Sequence, residues 1–263
     1  MSLGRGIFMG TVGAASLLAI TGAASATTLS FASDDDSNFS TFMGSSGSGG
    51  MFMIRNGRTP LPTPVTLNVD DNNGANPTAQ LPVGLVVSLS ATHVASTPFG
   101  GEWNHVYAVS GSYSFVHPVS SAPLLVVQIN PGSAAMTIVG GATTWGSAGS
   151  IIGSDAAAGV PNGVDYSDVG LSAYMTSLGY NPNNYIVSGG TFFAEDFAFT
   201  LTSLNADGGI VELDAGHLPT TSWFAEGSHS GHAFDIPAPG AAAAAGVFMM
   251  TLGTRRRRKS AVS

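Results

Sequence analysis

The sequence predicts an all-β domain, an antiparallel β-sandwich of jelly-roll-like type with one short helix. Segments that alternate apolar and polar residues recur between residues 28 and 236, and Gly, Pro, Asn and Asp residues separate them. Six such segments lie within 65–139, a density that is typical of sandwiches. The chain has no cysteine, so a hydrophobic core must hold the domain in place of disulfides.

The first strands are predicted from clean alternation. Residues 28–32 form the first candidate, and residues 65–69 form the next, which ends in the turn 70–74. The candidates that follow are 85–94, 105–109 and 112–116. The uninterrupted apolar run 124–129 predicts a central strand buried on both faces, with a turn at 130–132 leading into the strand 136–139.

The pattern changes to helical spacing within residues 165–179. Apolar residues recur there at intervals of three and four, Asp165 or Ser167 is suited to cap the helix start, and Gly179 is suited to end it. We expect this helix to lie over a sheet edge. Strand patterns then return at 197–202, and the turn 205–209 predicts 210–213 as the hairpin partner. Residues 223–224 and 233–236 complete the predicted sheet.

The N-terminus has the composition of a secretory signal peptide. Arg5 provides a positive charge, residues 7–20 are mainly apolar, and Ala24-Ser25-Ala26 forms a small-residue cleavage site. We therefore expect residues 1–26 to be a signal peptide. Residues 27–235 are then predicted to form one β-sandwich domain, and they are numerous enough to bury a sizeable core.

Charge separates the two ends of the chain from its middle. All sixteen Asp and Glu lie within 27–235, where Arg55 and Arg58 are the only Lys or Arg, so this part carries a net charge of −14. That charge argues against nucleic acid and anionic lipid as partners, because both are bound through cationic side chains. Such acidity keeps a domain soluble and offers oxygen ligands to Ca²⁺, or it reflects adaptation to a salty environment.

Residues 236–259 form a C-terminal segment of distinct composition. Pro237 and Pro239 prevent a helix from entering the segment. After them the 14 residues 241–254 are mostly apolar, and five cationic residues follow at once, as at a membrane span held on the cytoplasmic side. The apolar span is shorter than the ~20 residues that a transmembrane helix needs. Temporary retention is therefore favoured over permanent anchoring.

This arrangement resembles the PEP-CTERM sorting tail of bacterial surface proteins, which exosortase-type enzymes recognise. The family motif is usually Pro-Glu-Pro, whereas this chain has a Pro-Ala-Pro-Gly variant. The resemblance implies processing by an exosortase-like partner, and it covers only the C-terminal tail. The residues that carry it are Pro237, Ala238, Pro239, Gly240, Arg255, Arg256, Arg257 and Arg258. An ordinary C-terminal membrane anchor is the alternative.

Two motifs suggest metal sites. Asp34, Asp36 and Asn38 have the spacing that opens an EF-type calcium loop, but Phe39 replaces the required glycine and Ser45 the bidentate glutamate. A looser calcium site or a solvated acidic loop remains. A weaker version lies within 70–74. The segment 229–232, with His at both ends, offers either a transition-metal site or exposed turn histidines.

The function expected from these patterns is that of an exported protein of the cell surface or extracellular matrix, structural or adhesive in type and without catalysis. The sequence 227–231 places His229 where a nucleophile elbow needs serine. The alternative is a carbohydrate-binding module, calcium-stabilised, that contacts a surface polysaccharide. Trp103, Trp145 and Trp223 would then stack against sugar rings, unless these side chains fill the core.

Overall fold

The strands of the protein are longer than the sequence predicts, and they make up one sheet. The structure is a computed structural model and describes residues 26–32, 41–57, 61–71, 74–153, 163–185, 191–207 and 209–234. The described strands are β1 (Ala26–Ala32), β2 (Phe42–Gly44), β3 (Met51–Asn56), β4 (Thr63–Asp70), β5 (Ala79–Phe99), β6 (Glu102–Val116), β7 (Pro123–Gly141), β8 (Thr144–Gly153), β9 (Val164–Asp168), β10 (Thr191–Asn205) and β11 (Trp223–Phe234). A helix α1 (Leu171–Ser177) and a 3₁₀ turn (Pro182–Tyr185) follow β9.

The sheet closes on itself. Strands β4 to β8 are neighbours in chain order, β8 pairs with β10, β10 with β11, β11 with β1, and β1 with β4. All of these neighbouring strands pair in the antiparallel sense. Strands β2 and β3 bridge β11 to β5, and β9 bridges β7 to β10. The predicted all-β, sandwich-like class with a single short helix is confirmed.

Alternation along the strands separates an aromatic core from a small, polar outer face. On β5 the side chains of Leu81, Val83, Leu85, Val87 and Leu89 are buried, as the period of two requires. The core also contains rings packed edge to face, which is a favourable geometry. Its largest buried side chains include Trp223, Tyr107, Tyr113, Tyr166, Phe31, Phe42, Phe52, Phe115, Phe197 and Phe199.

The outer face carries pairs of serines on neighbouring strands. Ser30 lies opposite Ser230, Ser88 opposite Ser112, and Ser90 opposite Ser110. The last pair is hydrogen-bonded through its hydroxyl groups at 3.1 Å. The outer face is therefore uncharged along much of the central strands.

The two strands predicted at 105–109 and 112–116 are one strand, β6. Gly111 keeps them continuous because it takes a positive φ of 125° at a register shift, a conformation that costs glycine little. A Cβ atom there would lie 2.4 Å from the carbonyl oxygen of Ser88. A glycine is therefore required here because the backbone of β5 lies so close, and the residue does not mark a turn.

The run 124–129 is buried mainly on one face, so the prediction of a strand buried on both faces was wrong. Leu125, Val127 and Ile129 point into the core, whereas Gln128 is exposed. The predicted turn 130–132 is an irregularity within β7, which continues to Gly141. A long strand bends at such a point without ending.

The predicted helix is shorter than its sequence pattern. Residues 164–168 pair with β7 and β10 as β9, and α1 begins at Leu171. Asp168, and neither of the predicted residues, accepts hydrogen bonds from the first backbone N–H groups of the helix, including that of Leu171 at 2.8 Å. Gly179 ends the segment with a φ of 88°, as predicted.

Segment 210–213 does not pair with β10, so the predicted hairpin was wrong. The partner of β10 is β11, and their pairing runs from Phe193–Phe234 to Asn205–Phe224. Residues 211–221, which we call the capping segment, instead cross one end of the closed sheet. They bury Val211, Leu213 and Leu218 there. The helix α1 covers the opposite end, where the Tyr174 hydroxyl donates to the Pro82 carbonyl at 2.7 Å.

Candidate functional site at the capped end of the sheet

Three histidines meet beneath the capping segment. His93 lies near the end of β5, His105 lies near the start of β6, and His217 belongs to the capping segment. We call these three residues the histidine cluster. Their ring centroids lie 5.1 Å apart for His93 and His217, and 5.6 Å apart for His105 and His217.

A β-bulge brings His93 and Ser96 to the same side of the sheet. Residues three apart in a regular strand point to opposite faces. Here the register shifts between His93 and Ala95, and Val94 is the extra residue, with 62% of its side chain exposed. His93 therefore lies opposite Tyr107 while Ser96 lies opposite His105. The bulge creates a local polar site in an otherwise apolar interior.

A hydrogen-bond chain connects these side chains. His93 Nε2 lies 2.9 Å from Ser96 Oγ, Ser96 Oγ lies 2.8 Å from His105 Nδ1, and His105 Nε2 lies 2.9 Å from the Gly141 carbonyl oxygen. A carbonyl can only accept, so the neutral His105 ring must carry its proton on Nε2. Its Nδ1 then accepts from Ser96, and Ser96 accepts from His93. One carbonyl thus fixes the direction of the whole chain.

His217 is held over this chain by its own backbone. Its φ of 58° is left-handed, which is uncommon outside glycine and costs energy unless the surroundings enforce it. Its ring stacks on His93 at an angle of 29° and on Trp103 at 27°. Its Nδ1 atom is buried and makes no hydrogen bond with the described residues. The imidazole is therefore held by stacking and by the backbone.

Asp214 shapes the turn that presents His217. Its Oδ1 atom accepts hydrogen bonds from the N–H groups of Gly216 at 2.8 Å and Leu218 at 2.9 Å. The N–H of His217 donates to the Asp214 carbonyl at 2.9 Å. These bonds close a compact turn, as Asp side chains commonly do.

Two buried aromatic residues hold the capping segment from below. Tyr107 donates its hydroxyl proton to the His217 carbonyl at 2.7 Å, and Trp145 donates its Nε1 proton to the Tyr107 hydroxyl at 2.9 Å. Burial raises the pKa of Tyr107, and the hydrogen bond from Trp145 opposes that shift. The phenol therefore stays protonated and keeps its hydrogen bond to the capping segment.

The environment of the cluster favours neutral imidazoles. Burial lowers the pKa of His93, and the neighbouring His217 and His105 lower it further, while the Ala95 carbonyl and Asp214 oppose the shift. Burial also lowers the pKa of His105, against the opposing effect of the Gly141 carbonyl. Protonation thus costs energy here because it places charge in a buried site beside other rings.

This arrangement does not resemble a metal centre or an open nucleophile. Within the described ranges, no group of three or more His, Cys, Asp or Glu side chains is arranged to hold a metal ion. Ser96 donates to an imidazole, as serine nucleophiles do, but His93 donates to the same oxygen and reduces its nucleophilicity. The chemistry that the cluster offers best is therefore a change of protonation state when the pH falls.

The residues of the predicted calcium loop and of the sorting tail lie outside the described residues. This applies to Asp34, Asp36 and Asn38, and to all residues from 235 onward, as well as to the signal peptide up to residue 25. In the weaker acidic loop, Asp70 accepts from the Thr78 hydroxyl at 2.6 Å. Asp71 accepts from the backbone N–H groups of Gly74 and Asn76. Protein donors therefore already occupy several of these carboxylate oxygens.

The histidines of 229–232 lie in β11, so the interpretation as exposed turn histidines was wrong. His229 is 2% exposed and packs among aromatic rings, with centroids 5.0 Å from Phe199 and 5.5 Å from Phe197. His232 is three residues away on a regular strand, so the two side chains face opposite ways. One histidine is part of the core, and the pair does not form a common site.

Two of the three tryptophans fill the core. Trp145 and Trp223 are 3% and 0% exposed, and their rings contact each other at 5.3 Å, so neither can stack on an external sugar. Trp103 is partly exposed at the capped end and stacks on His217 with a centroid distance of 6.2 Å. It is the only one of the three that remains a candidate for ligand binding.

Sequence reasoning missed His93, Ser96 and His105. Alternation with the buried Tyr107 places His105 on the inner face, a signal that was available. The bulge at Val94 and the crossing of the capping segment left no comparable signal.

No protein-family model, curated protein or solved structure matches the chain. Among the helices of the described ranges, none has the length and apolar character needed to cross a membrane.

Proposed function

We propose that the protein is an exported, non-catalytic protein of the cell surface or extracellular matrix, structural or adhesive in type. The observation that supports this most is the outer face of the closed sheet. Its serine pairs, Ser30–Ser230, Ser88–Ser112 and Ser90–Ser110, present uncharged hydroxyl groups on a rigid support. Such groups can both donate and accept hydrogen bonds. They suit contact with neutral, hydroxyl-rich surfaces such as a polysaccharide matrix.

The composition of the chain ends supports export and sorting. The signal-like segment 1–26 and the PEP-CTERM-like tail 236–259 flank the acidic domain. In this proposal an exosortase-like enzyme processes the chain near Pro237–Gly240 and directs the domain to the cell envelope. The domain is then either retained there or released. Membrane contact occurs only through the tail.

Cell fractionation of a native host tests the sorting role. The chain truncated before Pro237 should appear in the culture medium, whereas the full chain should remain with the envelope. A full-length variant in which Arg255 to Arg258 are replaced by Gln serves as a matched control for the basic end. Equal retention of the truncated and full chains would refute the role of the tail.

Carbohydrate binding is a second candidate function because Trp103 offers a partly exposed ring beside polar groups. A glycan array with the domain 27–235 provides the test. Trp103→Ala should abolish reproducible binding, since aromatic faces contribute much of the affinity for sugar rings. Tyr180→Ala, at a partly exposed ring away from the cluster, should leave binding unchanged. Equal binding by both variants would remove Trp103 from consideration.

A further inference from the structure

The capping segment is attached to the sheet by backbone hydrogen bonds near both of its ends, by its buried apolar side chains, and by the histidine cluster at its centre. The Leu213 N–H donates to the Thr143 carbonyl at 2.8 Å, and the Trp145 N–H donates to the Val211 carbonyl at 2.9 Å. Near the other end, the Gly47 N–H donates to the Pro219 carbonyl at 2.7 Å. At its centre, attachment depends on the Tyr107 hydroxyl and on the stacking of His217 over His93. The centre of the segment is thus held by one hydrogen bond and by ring contacts whose strength depends on charge.

We propose that the capping segment is a pH-sensitive latch, which acidification opens by protonating the histidine cluster. Opening separates His217 from His93 and His105, and it exposes to solvent the aromatic rings of Tyr107 and Trp145 that lie beneath the segment. The device requires no ligand and does not depend on the proposed function. It would respond directly to the pH of the solution around the protein.

The charged groups around the imidazole rings determine whether protonation favours the open or the closed latch. Among the described residues, the titratable groups that face His93 and His105 are His217 and Asp214 from the capping segment and Tyr107 from β6. Gly141 and Thr144 add only backbone carbonyls. Asp214 is the one carboxylate, and its Oδ1 atom is already engaged by two N–H groups. Two or three imidazolium ions at ring distances of 5–6 Å would therefore repel one another.

Thermodynamic linkage between proton binding and opening gives the size of the pH effect on the opening equilibrium. The pKa values of His93 and His105 lie below the ordinary 6.5 while the latch is closed, and they return toward it when water reaches the rings. The closed state is therefore fully favoured above pH 6.5 and loses stability as the pH falls below it. The upper limit for one ring is an increase of about 25-fold in the opening equilibrium constant between pH 7 and pH 5, which applies when the closed-state ring takes up no proton in that range.

Hydrogen exchange of the full chain, corrected for the intrinsic effect of pH, measures this opening. The amides of Leu213 and Trp145, whose hydrogen bonds join the capping segment to the sheet, should lose protection several-fold between pH 7 and pH 5. Amides in the middle of β6 and β7 should change far less. An unchanged capping segment would refute the latch, and equal loss of protection in all three regions would show general unfolding instead.

Variants separate the cluster from other histidines. His93→Gln keeps an amide donor toward Ser96 and removes one titrating ring, so the loss of protection between pH 7 and pH 5 should shrink several-fold, by at most about 25-fold. His105→Gln is the second variant, in case the first does not fold. His117→Gln, at the opposite end beside Tyr174, should behave as wild type. The proposal fails if all three variants respond to acid as the wild type does.

Discussion

Removing the buried hydroxyl group of Tyr107 should destabilise the protein more than the loss of one ordinary hydrogen bond would. Tyr107→Phe deletes the oxygen that accepts from Trp145 Nε1 at 2.9 Å and donates to the His217 carbonyl at 2.7 Å. The Trp145 N–H then has no acceptor in a core where that side chain is 3% exposed. Leaving such a donor unsatisfied costs about 1–3 kcal/mol.

The lost bond to the capping segment adds about 1 kcal/mol. We therefore expect the free energy of unfolding to fall by about 2–4 kcal/mol in total. For a domain of this size, that corresponds to a decrease in Tm of about 5–15 °C. Urea unfolding, followed by the fluorescence of the buried tryptophans, measures the free energy directly, and calorimetry gives the Tm.

Tyr174→Phe is the matched control. It removes a single hydroxyl hydrogen bond, to the Pro82 carbonyl at 2.7 Å, at the opposite end of the sheet. Its expected cost is about 0.5–1.5 kcal/mol. If Tyr107→Phe costs no more than Tyr174→Phe, the two-bond role of the Tyr107 hydroxyl is refuted.

Three further substitutions test the fold. Gly111→Ala should lower the free energy of unfolding by about 1–3 kcal/mol, because alanine is strained at a φ of 125°; urea unfolding measures this, and a neutral result would contradict the close approach to Ser88. Asp168→Ala should cost about 1 kcal/mol by removing the acceptor at the start of α1, and Asp168→Asn should restore most of it in the same assay. Phe199→Ala should cost about 3–5 kcal/mol by opening a cavity in the core, and calorimetry would contradict this with a Tm within 2 °C of wild type.

Alternation within single strands was enough to predict much of the sheet. Val65, Leu67 and Val69 in β4 are buried as their pattern indicates, and Phe197, Phe199 and Leu201 in β10 likewise share the inner face. These predictions succeed because a strand with one buried face repeats every two residues. They need no knowledge of which strands are neighbours.

The β-bulges and the pairing of strands distant in the chain could not be predicted from the sequence. Gly111 looks like a turn residue, yet β6 passes through it because the partner strand approaches closely there. Val94 gives no sign that it shifts the register and brings His93 and Ser96 together. Residues 210–213 were predicted as a strand because apolar and polar residues alternate there, but Val211 and Leu213 are buried against a sheet end, where burial does not require pairing. Each of these features depends on partners distant in the chain.

The pairing of the first described strand with the last has a consequence for folding in the proposed case of export. Seven consecutive residues of β1 lie opposite β11, from Ala26–Phe234 to Ala32–Ser228, whereas β1 contacts β4 over only three. Closing a loop of about 200 residues is slow compared with forming local hairpins. A chain that crosses a membrane from its N-terminus onward would therefore keep its sheet open until β11 emerges. Strand order would then delay completion of the core until translocation of the domain has ended.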